Sequence, residues 1–328
     1  MLSDKVRSIQ TLLKPPNILV IGDLMIDHYV WGDATRLSPE APVPIVNVTG
    51  ESTTLGGAAN VAQNLVALGA KVTLGGVIGD DTFGNKLTEI LASEGIATDA
   101  ILKDANRPTT VKTRVVVGSH QLVRVDREIT DCLHNELENE LVSHLDKYIT
   151  EADIVLFSDY GKGLFSPVLT QRLIGLANDK NKKVIVDPKG LNYEKYKGAF
   201  IIKPNRKELA EAAKTEKIKN IEDLQKAGKT IFNQTNTTYL IVTLSEEGMV
   251  ILDESGYQLL PVKATAVFDV TGAGDTVLAT IAYFVALGFA IEEACELANH
   301  AAAIVIRRVG SATTTIYEII ADIEKDKL

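Results

Sequence analysis

Short, uninterrupted runs of apolar residues alternate along this chain with longer segments in which apolar residues recur every three or four positions. The short runs lie at residues 18–22, 72–78, 154–157, 184–186, 200–202 and 239–242. The longer segments lie at residues 58–68, 82–93, 133–148, 167–178 and 221–232. The first pattern predicts strands buried on both faces, and the second predicts helices with one apolar face. Their alternation predicts an α/β fold with a mostly parallel central sheet and helices on both of its faces.

Two regions, at about residues 28–48 and 109–126, have no helical period and show strand-like alternation instead. We expect them to form the antiparallel strands of a small accessory sheet, a lid, which is inserted into the α/β body and covers a site at its edge. No repeat, low-complexity tract or linker divides the chain, and its length does not require a second domain. We therefore expect residues 1–328 to form a single domain with this lid inserted.

The charge balance narrows the class of partner. The 34 Lys and Arg residues are outnumbered by 43 Asp and Glu residues, which gives a net charge of −9. Without a basic block, this balance argues against nucleic acid or an anionic membrane as the main partner, while an anionic small substrate needs only a few local cations. The chain has no long apolar membrane segment, and residues 1–16 lack the apolar core of a signal peptide. We therefore expect a cytoplasmic protein in which Cys132 and Cys295 stay reduced.

The sharpest motif is Asp269-Val270-Thr271-Gly272-Ala273-Gly274-Asp275, which is followed by an apolar helical segment. Glycines where a loop enters a helix let consecutive N–H groups point outward, and with the helix dipole they form an anion hole for a phosphate. An Asp in the first helical turn, the position of Asp275, commonly caps the helix. Beside an anion hole, the same carboxylate also suits a general base that takes a hydroxyl proton.

A second group of polar residues suits a sugar. Gly56 and Gly57 precede Asn60 and Asn64, whose spacing places both amides on one helix face, where they can pair with hydroxyls. Asp27, near the end of the first strand, adds a carboxylate that can accept from two hydroxyls. The alternative interpretations are an ordinary Gly-Gly turn before a helix and an ordinary Asp at a strand end.

A third group suits a nucleotide and its metal ion. Asn205 and Glu208 share one face at a helix start, where they can hold a hydrated Mg²⁺ against phosphates. Asn followed three residues later by Glu is also a capping box, which needs no metal. The turn from Thr243 to Gly248 either lies under a nucleotide or is only a hairpin turn. The residues alone leave both alternatives open.

Taken in chain order, these three groups resemble the motifs of the ribokinase-like, or PfkB, family of sugar kinases, and the resemblance covers about residues 17–310. Five segments are similar to the branch of that family that phosphorylates D-glycero-β-D-manno-heptose 7-phosphate. They are IGDLMID at 21–27, SPEAPVP at 38–44, GGAANVA at 56–62, DYGKG at 159–163 and DPKG at 187–190. SPEAPVP is the most specific of them, because it lies in the lid, where members of the family differ in their contacts to the sugar.

The resemblance implies ATP-dependent phosphorylation of the anomeric C1 hydroxyl of the heptose 7-phosphate, on the route to ADP-heptose and lipopolysaccharide core. The product would be the 1,7-bisphosphate. In many bacteria this kinase is the first half of a bifunctional protein, and because the chain ends at Leu328 we expect the stand-alone form. The open alternatives are a kinase of another phosphosugar, such as a fructose or tagatose phosphate, and a non-catalytic regulator that binds a sugar or nucleotide.

The resemblance also implies roles for residues. The base is Asp275 and the anion hole is formed by Gly272, Ala273 and Gly274. The sugar contacts are Asp27, Gly56, Gly57 and Asn60, and the Mg²⁺ and phosphate motif is Asn205 with Glu208. Thr243, Gly248 and Asn299 surround the nucleotide, and Asp269 and Thr271 lie near a K⁺ site that some members have. Lys162 and Lys189 are the candidate cations for the 7-phosphate, and a homodimer through the lid strands is expected from their exposed edges.

Overall fold

A nine-stranded sheet and a separate four-stranded sheet organise the computed structural model, which describes residues 2–9, 14–262 and 267–325. In chain order the strands are β1 (Asn17–Gly22), β2 (Leu24–Leu37), β3 (Pro44–Gly57), β4 (Lys71–Gly79), β5 (Ala97–Asp104), β6 (Thr110–Val117), β7 (His120–Arg127), β8 (Ile154–Ser158), β9 (Lys183–Asp187), β10 (Ile201–Ile202), β11 (Tyr239–Thr243), β12 (Met249–Asp253) and β13 (Gly256–Leu260). The large sheet has the order β13-β12-β11-β10-β9-β8-β1-β4-β5. Its strands are parallel from β5 to β11, and β12 and β13 form an antiparallel edge.

Helices cover both faces of the large sheet. In chain order they are α1 (Leu2–Ile9), α2 (Ala58–Ala67), α3 (Thr82–Ser93), α4 (Asn135–Glu151), α5 (Pro167–Asp179), α6 (Arg206–Ala212), α7 (Ile221–Thr235), α8 (Ala273–Ala286), α9 (Ile291–Val305) and α10 (Ile316–Lys325). Short 3-10 helices lie at Tyr193–Tyr196 and Ser245–Glu247. Within the described residues, every helix is too short or too polar to span a lipid bilayer.

Two apolar cores lie on opposite faces of the sheet, because neighbouring residues of a strand point to opposite sides. Ile18 and Val20 of β1 belong to the core under α2, α8 and α9, whereas Leu19 and Ile21 belong to the core under α4, α5 and α7. Helix α8 is buried along nearly its whole length, which is why its sequence is apolar or small all round. This two-sided burial explains the uninterrupted apolar runs of the sequence.

The small sheet is the predicted lid, and it is larger than expected. It has the order β3-β2-β6-β7, and its strands span 24–57 and 110–127 instead of 28–48 and 109–126. The expectation of antiparallel strands is wrong for one pair, since β2 and β6 are parallel. Both strands leave the carboxyl ends of parallel strands of the large sheet, β1 and β5, and therefore start in the same direction. The single-domain organisation of residues 1–328 stays a prediction.

The carboxyl ends of the parallel strands meet the lid, and this is the edge at which open α/β sheets bind ligands. β8 ends just before the segment 159–164, and β10 ends just before the start of α6. Asn205, which caps α6, forms a bridge to Thr243 at the end of β11. The fold therefore gathers chain segments that are far apart in sequence at one edge of the sheet.

Candidate active site

Asp275 lies in the first turn of α8, and its carboxylate is bound by two other elements. Oδ2 accepts a hydrogen bond of 2.6 Å from Nδ2 of Asn60 on α2, and Oδ1 accepts one of 2.5 Å from the hydroxyl of Tyr160 after β8. The N-cap of α8 is Gly272, with a φ of 76° and no side chain to cap the helix. Because both oxygens of Asp275 are used by other elements, the capping alternative loses its support.

The start of α8 leaves backbone donors open. Within the described part of the chain, the N–H groups of Gly274 and Asp275 have no hydrogen-bond acceptor. A Cβ built on Gly274 would meet nothing within 4 Å, so a ligand can approach the backbone here. A Cβ on Gly272 would lie 3.1 Å from Nδ2 of Asn60, which explains why glycine fits beside that amide. Open donors at a helix start form a site for a phosphate oxygen.

Burial raises the pKa of Asp275 above its usual value. The hydrogen bonds from Tyr160 and Asn60 and the charge of Lys203 act against burial, while the nearby carboxylate of Asp27 acts with it. A carboxylate with a raised pKa is a stronger base than an exposed one. The environment of Asp275 therefore suits proton acceptance.

The two asparagines of α2 differ in what they leave for a ligand. Asn60 is 2% exposed, and its Oδ1 has no hydrogen-bond partner, which leaves a buried acceptor beside Asp275. Asn64 lies one turn further on, where Nδ2 donates to the carbonyl of Asn60 at 2.9 Å and Oδ1 accepts from the hydroxyl of Thr276 at 2.8 Å. A buried acceptor without a partner is costly unless a ligand satisfies it, so Asn60 fits a sugar hydroxyl. Asn64 instead joins α2 to α8.

Asp27 projects from β2 beside the end of β3. Arg114 of β6 forms an ion pair with it, and the charge of Asp27 acts on Asp275, which places both carboxylates in one site. A Cβ on Gly56 would lie 2.7 Å from Oδ2 of Asp27, so glycine leaves room for this carboxylate. Gly57 has a φ of 58° and makes the turn into α2. Gly57 therefore makes the turn before α2, and Gly56 leaves space for the carboxylate of Asp27.

The segment 159–164 brings Tyr160 and Lys162 to the site. Its backbone is held by the buried Asp23, which accepts N–H bonds from Tyr160 at 2.8 Å, Lys162 at 3.1 Å and Leu164 at 3.3 Å. Burial, with the charge of Asp159, raises the pKa of Asp23 to about 6 in spite of these bonds. The sequence analysis assigned Tyr160 no role, although it quoted the segment DYGKG after a predicted strand.

Two lysines and one arginine meet acidic groups at the base of the lid. Nζ of Lys162 lies 2.7 Å from Glu128, and Nζ of Lys112 lies 3.4 Å from the other oxygen of the same carboxylate. Arg114, which pairs with Asp27, lies on the same strand as Lys112. Lysines 112 and 162 with Arg114 are called the lid-base cations below.

Asn205 and Glu208 form the capping box of α6. Oδ1 of Asn205 accepts from the N–H of Glu208 at 2.9 Å, and Oε2 of Glu208 accepts from the N–H of Asn205 at 3.0 Å. Oε1 of Glu208 pairs with Nζ of Lys189 at 2.9 Å, and this ion pair raises the pKa of Lys189. Lys189 therefore lies at the Asn205–Glu208 end of the site, apart from the partners of Lys162.

Asp187 and Lys203 form an ion pair of 3.1 Å that the sequence analysis missed. Lys203 is only 3% exposed, and it affects the titration of Asp275 as well as that of Asp187. Burial raises the pKa of Asp187 to about 7 although Lys203 favours its charged form. In sequence, Lys203 was visible only as a neighbour of Asn205, without a signal that separates it from surface lysines.

The side chains of Asn205 and Glu208 suit a metal ion that keeps most of its water ligands better than one that is ligated by several side chains. The described residues contain no group of three or more His, Cys, Asp or Glu side chains arranged to hold a metal. Glu208 offers carboxylate oxygens and Asn205 an amide oxygen, which are the ligands that Mg²⁺ prefers. Mg²⁺ usually keeps several waters and uses one or two carboxylates with substrate phosphates, and these residues meet that demand.

Gly248 and Asn299 both lie against the backbone of Leu260 and Pro261. Gly248 has a φ of 98° and ends the hairpin turn between β11 and β12, where a Cβ would lie 2.1 Å from the carbonyl oxygen of Leu260. Nδ2 of Asn299 donates to the carbonyls of Leu260 at 3.3 Å and Pro261 at 3.4 Å. The turn is therefore a hairpin turn, and the nucleotide contacts of Thr243, Gly248 and Asn299 stay a prediction.

Asp269 joins the start of the glycine motif to the loop after α9. Its Oδ1 accepts from the N–H of Thr271 at 2.9 Å, and its Oδ2 accepts from the N–H of Gly310 at 2.8 Å. A hydrogen bond from the Thr271 side chain, together with these two backbone bonds, lowers the pKa of Asp269. The carboxylate therefore stays charged and fixes the loop before α8. A monovalent cation near Asp269 and Thr271 stays a prediction.

The chain is similar in sequence to known carbohydrate kinases. The model of the "pfkB family carbohydrate kinase" matches residues 15–316. The chain is 47% identical over 307 residues to the bifunctional protein HldE of Helicobacter hepaticus, covering 94% of this chain and 64% of that protein. It is 43% identical to the protein of the same name from Wolinella succinogenes, covering 93% and 64%. The chain thus spans about two thirds, at 64%, of the length of these relatives.

Solved structures with low sequence identity share the fold. The ribokinase of Arabidopsis thaliana, solved with ribose and ATP, superposes with a TM-score of 0.75 at 20% identity and covers 95% of this chain and 99% of its own. The phosphofructokinase-2 of Escherichia coli, solved with potassium, superposes with a TM-score of 0.76 at 18% identity and covers 96% and 100%. At these identities the likeness supports the fold alone.

Proposed function

This chain belongs to the pfkB family of carbohydrate kinases, and from that premise we propose that it transfers the γ-phosphoryl group of ATP to the C1 hydroxyl of D-glycero-β-D-manno-heptose 7-phosphate. The observation that carries the proposal is the carboxylate of Asp275, which is buried and held by Asn60 and Tyr160 beside the open N–H groups of α8. A base next to an anion hole is the arrangement that phosphoryl transfer to a hydroxyl needs. The product is the 1,7-bisphosphate, a precursor of ADP-heptose and lipopolysaccharide core.

In the proposed reaction the C1 hydroxyl gives its proton to Asp275 as its oxygen forms a bond to the γ-phosphorus. The bond between that phosphorus and the bridging oxygen of ATP breaks, and ADP leaves with the electron pair. The N–H groups of Gly274 and Asp275 hold phosphoryl oxygens, and the positive charge of Lys203 stands near Asp275. The protein therefore supplies alignment, a proton acceptor and charge neutralisation, which suffice for this chemistry.

Mg²⁺ supplies charge neutralisation on the nucleotide phosphates when it is bound. We place it at Asn205 and Glu208, where α6 starts beside Thr243. The ion pair between Glu208 and Lys189 puts a cation at the same end. Lys189 therefore fits the nucleotide phosphates better than the substrate's 7-phosphate, for which it was one of two candidates.

The sugar lies, in this proposal, between Asp27 and Asn60, under the lid. The unpartnered Oδ1 of Asn60 accepts from a sugar hydroxyl, and Asp27 accepts from others. The lid-base cations include Arg114, the ion-pair partner of Asp27, and suit the 7-phosphate, with Lys162 as the first choice. The similarity of residues 38–44 in the lid to heptose kinases supports a heptose over other phosphosugars.

The test is a panel of acceptors with release of ADP as the readout. We expect D-glycero-β-D-manno-heptose 7-phosphate to exceed fructose 6-phosphate, tagatose 6-phosphate, ribose and unphosphorylated heptose in kcat/KM. Phosphorus NMR of the product should show a second phosphate at C1. Preference for a ketose phosphate would replace the heptose by another phosphosugar, and absence of ADP release with every acceptor would favour a non-catalytic binding protein.

We also propose that two copies of the chain associate through their lids. β7 is exposed along its whole length, and Leu122, Val123 and Val125 present apolar side chains there. An exposed strand edge with apolar residues favours pairing with another strand. Light scattering should give twice the mass of the chain, and Val123→Lys should return the mass to that of one chain.

A further inference from the structure

The hydroxyl of Tyr160 holds one oxygen of Asp275, while Asn60 holds the other. The two bonds measure 2.5 Å and 2.6 Å and come from different elements, the segment after β8 and helix α2. Two donors that approach from different elements fix both the place of a carboxylate and the rotation of its plane. A single donor would leave that rotation open.

Tyr160 acts as a donor and cannot itself be the base. Burial and the nearby carboxylates of Asp275 and Asp187 raise the pKa of the Tyr160 phenol well above its usual value, so the phenol keeps its proton at neutral pH. A phenol that stays neutral donates its hydrogen to the nearest acceptor. That acceptor is Oδ1 of Asp275.

The backbone of Tyr160 is fixed on both sides. Its N–H donates to the buried Asp23, and the N–H of the following Gly161 donates to Asp159 at 2.7 Å. Gly161 has a φ of 67°, a left-handed conformation that glycine adopts without strain, directly after Tyr160. The phenol is therefore presented to Asp275 by a rigid segment, as a positioning group requires.

We propose that Tyr160 is a positioning residue that orients the carboxylate of Asp275 to accept the proton of the substrate hydroxyl. This inference rests on the proposed function and concerns a residue of the segment DYGKG to which the sequence alone assigns no role. The other groups that face Asp275 are Asn60 from α2, Asp27 from β2, Asp187 from β9 and Lys203 after β10. Of these groups, Asn60 is the other hydrogen-bond donor to the carboxylate.

Tyr160→Phe removes the donor and keeps the ring. We expect kcat to fall by about 10- to 100-fold, because a hydrogen bond to a charged group is worth that factor. KM for ATP should stay within about twofold, since the phenol faces the base and not the nucleotide motif. The acidic limb of the kcat/KM profile should move to higher pH, because the charged carboxylate loses a hydrogen bond that favours it.

Tyr196→Phe is the matched control. Its hydroxyl donates at 2.6 Å to Asp159, so this variant removes a phenol from another buried carboxylate of the same segment without touching Asp275. We expect a lower thermal midpoint and an unmoved acidic limb. If Tyr160→Phe also leaves the acidic limb in place and matches the control in kcat, Tyr160 only supports the fold and the inference is wrong.

Two further measurements keep the outcomes apart. Replacing Tyr160 by 3-fluorotyrosine keeps the hydroxyl and makes it a stronger hydrogen-bond donor. The acidic limb of the kcat/KM profile should therefore move to lower pH. An unmoved limb counts against the inference even if Tyr160→Phe unfolds. Asp275→Asn tests the proposed function itself. Wild-type turnover of Asp275→Asn would show that Asp275 is not the base and would contradict the proposed function. If Asp275→Asn is inactive but Tyr160→Phe leaves the acidic limb of the kcat/KM profile unmoved, only the role of Tyr160 is rejected.

Discussion

Nδ2 of Asn60 lies 2.6 Å from Oδ2 of Asp275, although 215 positions separate the two residues in the sequence. The bond joins the residue proposed to bind the sugar to the proposed proton acceptor. It also orients the Asn60 amide so that its oxygen, which has no protein partner, is left for a ligand. A hydroxyl bound by that oxygen would lie beside the carboxylate of Asp275, the proposed base.

Asp275→Asn should lower kcat by roughly 10²- to 10⁴-fold, because the amide cannot take the hydroxyl proton. Folding should be kept, since asparagine has nearly the same volume and α8 stays buried. ADP release and thermal unfolding measure the two effects separately. Asp179→Asn on the exposed side of α5 is the control and should match the wild type in both. Near-normal turnover of Asp275→Asn would end its assignment as the base.

Glu208→Gln should raise the Mg²⁺ concentration needed for half-maximal activity by roughly 10-fold, as removal of a charged ligand or its supporting group does. Glutamine keeps the capping box, so the thermal midpoint should move little. Lys189→Met breaks the same ion pair without changing Glu208 and serves as the control. If both variants change the Mg²⁺ requirement equally, the ion pair and not a metal contact of Glu208 explains the effect.

Lys162→Met should lower kcat/KM for the phosphorylated sugar by about 10- to 100-fold, the value of a charged hydrogen bond to phosphate. The same variant should leave kcat/KM for the unphosphorylated sugar nearly unchanged, because only the phosphate contact is lost. Lys189→Met is expected to change both acceptors alike, since Lys189 lies beside Glu208. Equal losses on both acceptors in Lys162→Met would instead assign this lysine to the closure of the lid through Glu128.

The titration of Asp23 predicts how stability depends on pH. Its pKa is about 6 in the folded protein against 3.8 in the unfolded chain, so the folded state binds the extra proton between these values. The contribution of Asp23 to the free energy of unfolding is therefore greatest below pH 3.8, where it is on the order of 3 kcal/mol. This contribution is lost as the pH rises through 6. Asp23→Asn removes this titration.

The measurement is urea unfolding of the wild type and Asp23→Asn at several pH values. The difference in unfolding free energy, wild type minus variant, should grow as the pH falls from 6 toward 3.8 and be constant above about 7. Other titrating groups are common to both proteins and cancel. A difference that stays flat across this range would show that Asp23 is not neutralised on folding.

The sequence predicted the parallel strands, their helices and the ribokinase-like α/β fold correctly, and the expectation of a PfkB carbohydrate kinase is confirmed by the family match. Its failures have particular causes. Met25 and Ile26 are buried, so the start of β2 has no alternation and the lid was drawn too small. The parallel pairing of β2 and β6 depends on where both strands leave the large sheet, which no local pattern records.

Within the site, the sequence identified residues that carry a motif and missed those that act through position. Asp275, Asn205 and Glu208 could be proposed from the sequence because glycines or a capping pattern mark them. Tyr160 and Lys203 were not proposed. The sequence pattern of a tyrosine after a strand, or of a lysine before a proline, does not distinguish a residue of the site from a surface residue of the same type. The Ile316, Ile319, Ile320 and Ile323 spacing of α10 did carry a helical signal that was overlooked.

Asp275, the proposed base, is synthesised after most of the other site residues. During synthesis, the large sheet from β1 to β13, the lid, Asn60 and Tyr160 all leave the ribosome before α8 does. A nascent chain that ends before residue 272 therefore exposes the apolar surface of α2 that α8 later covers, and such surfaces promote aggregation. Docking of this late, largely buried helix therefore covers α2 and brings the proposed proton acceptor to the site in the same event. Ribosome-released fragments that lack α8 should need chaperones and show no turnover.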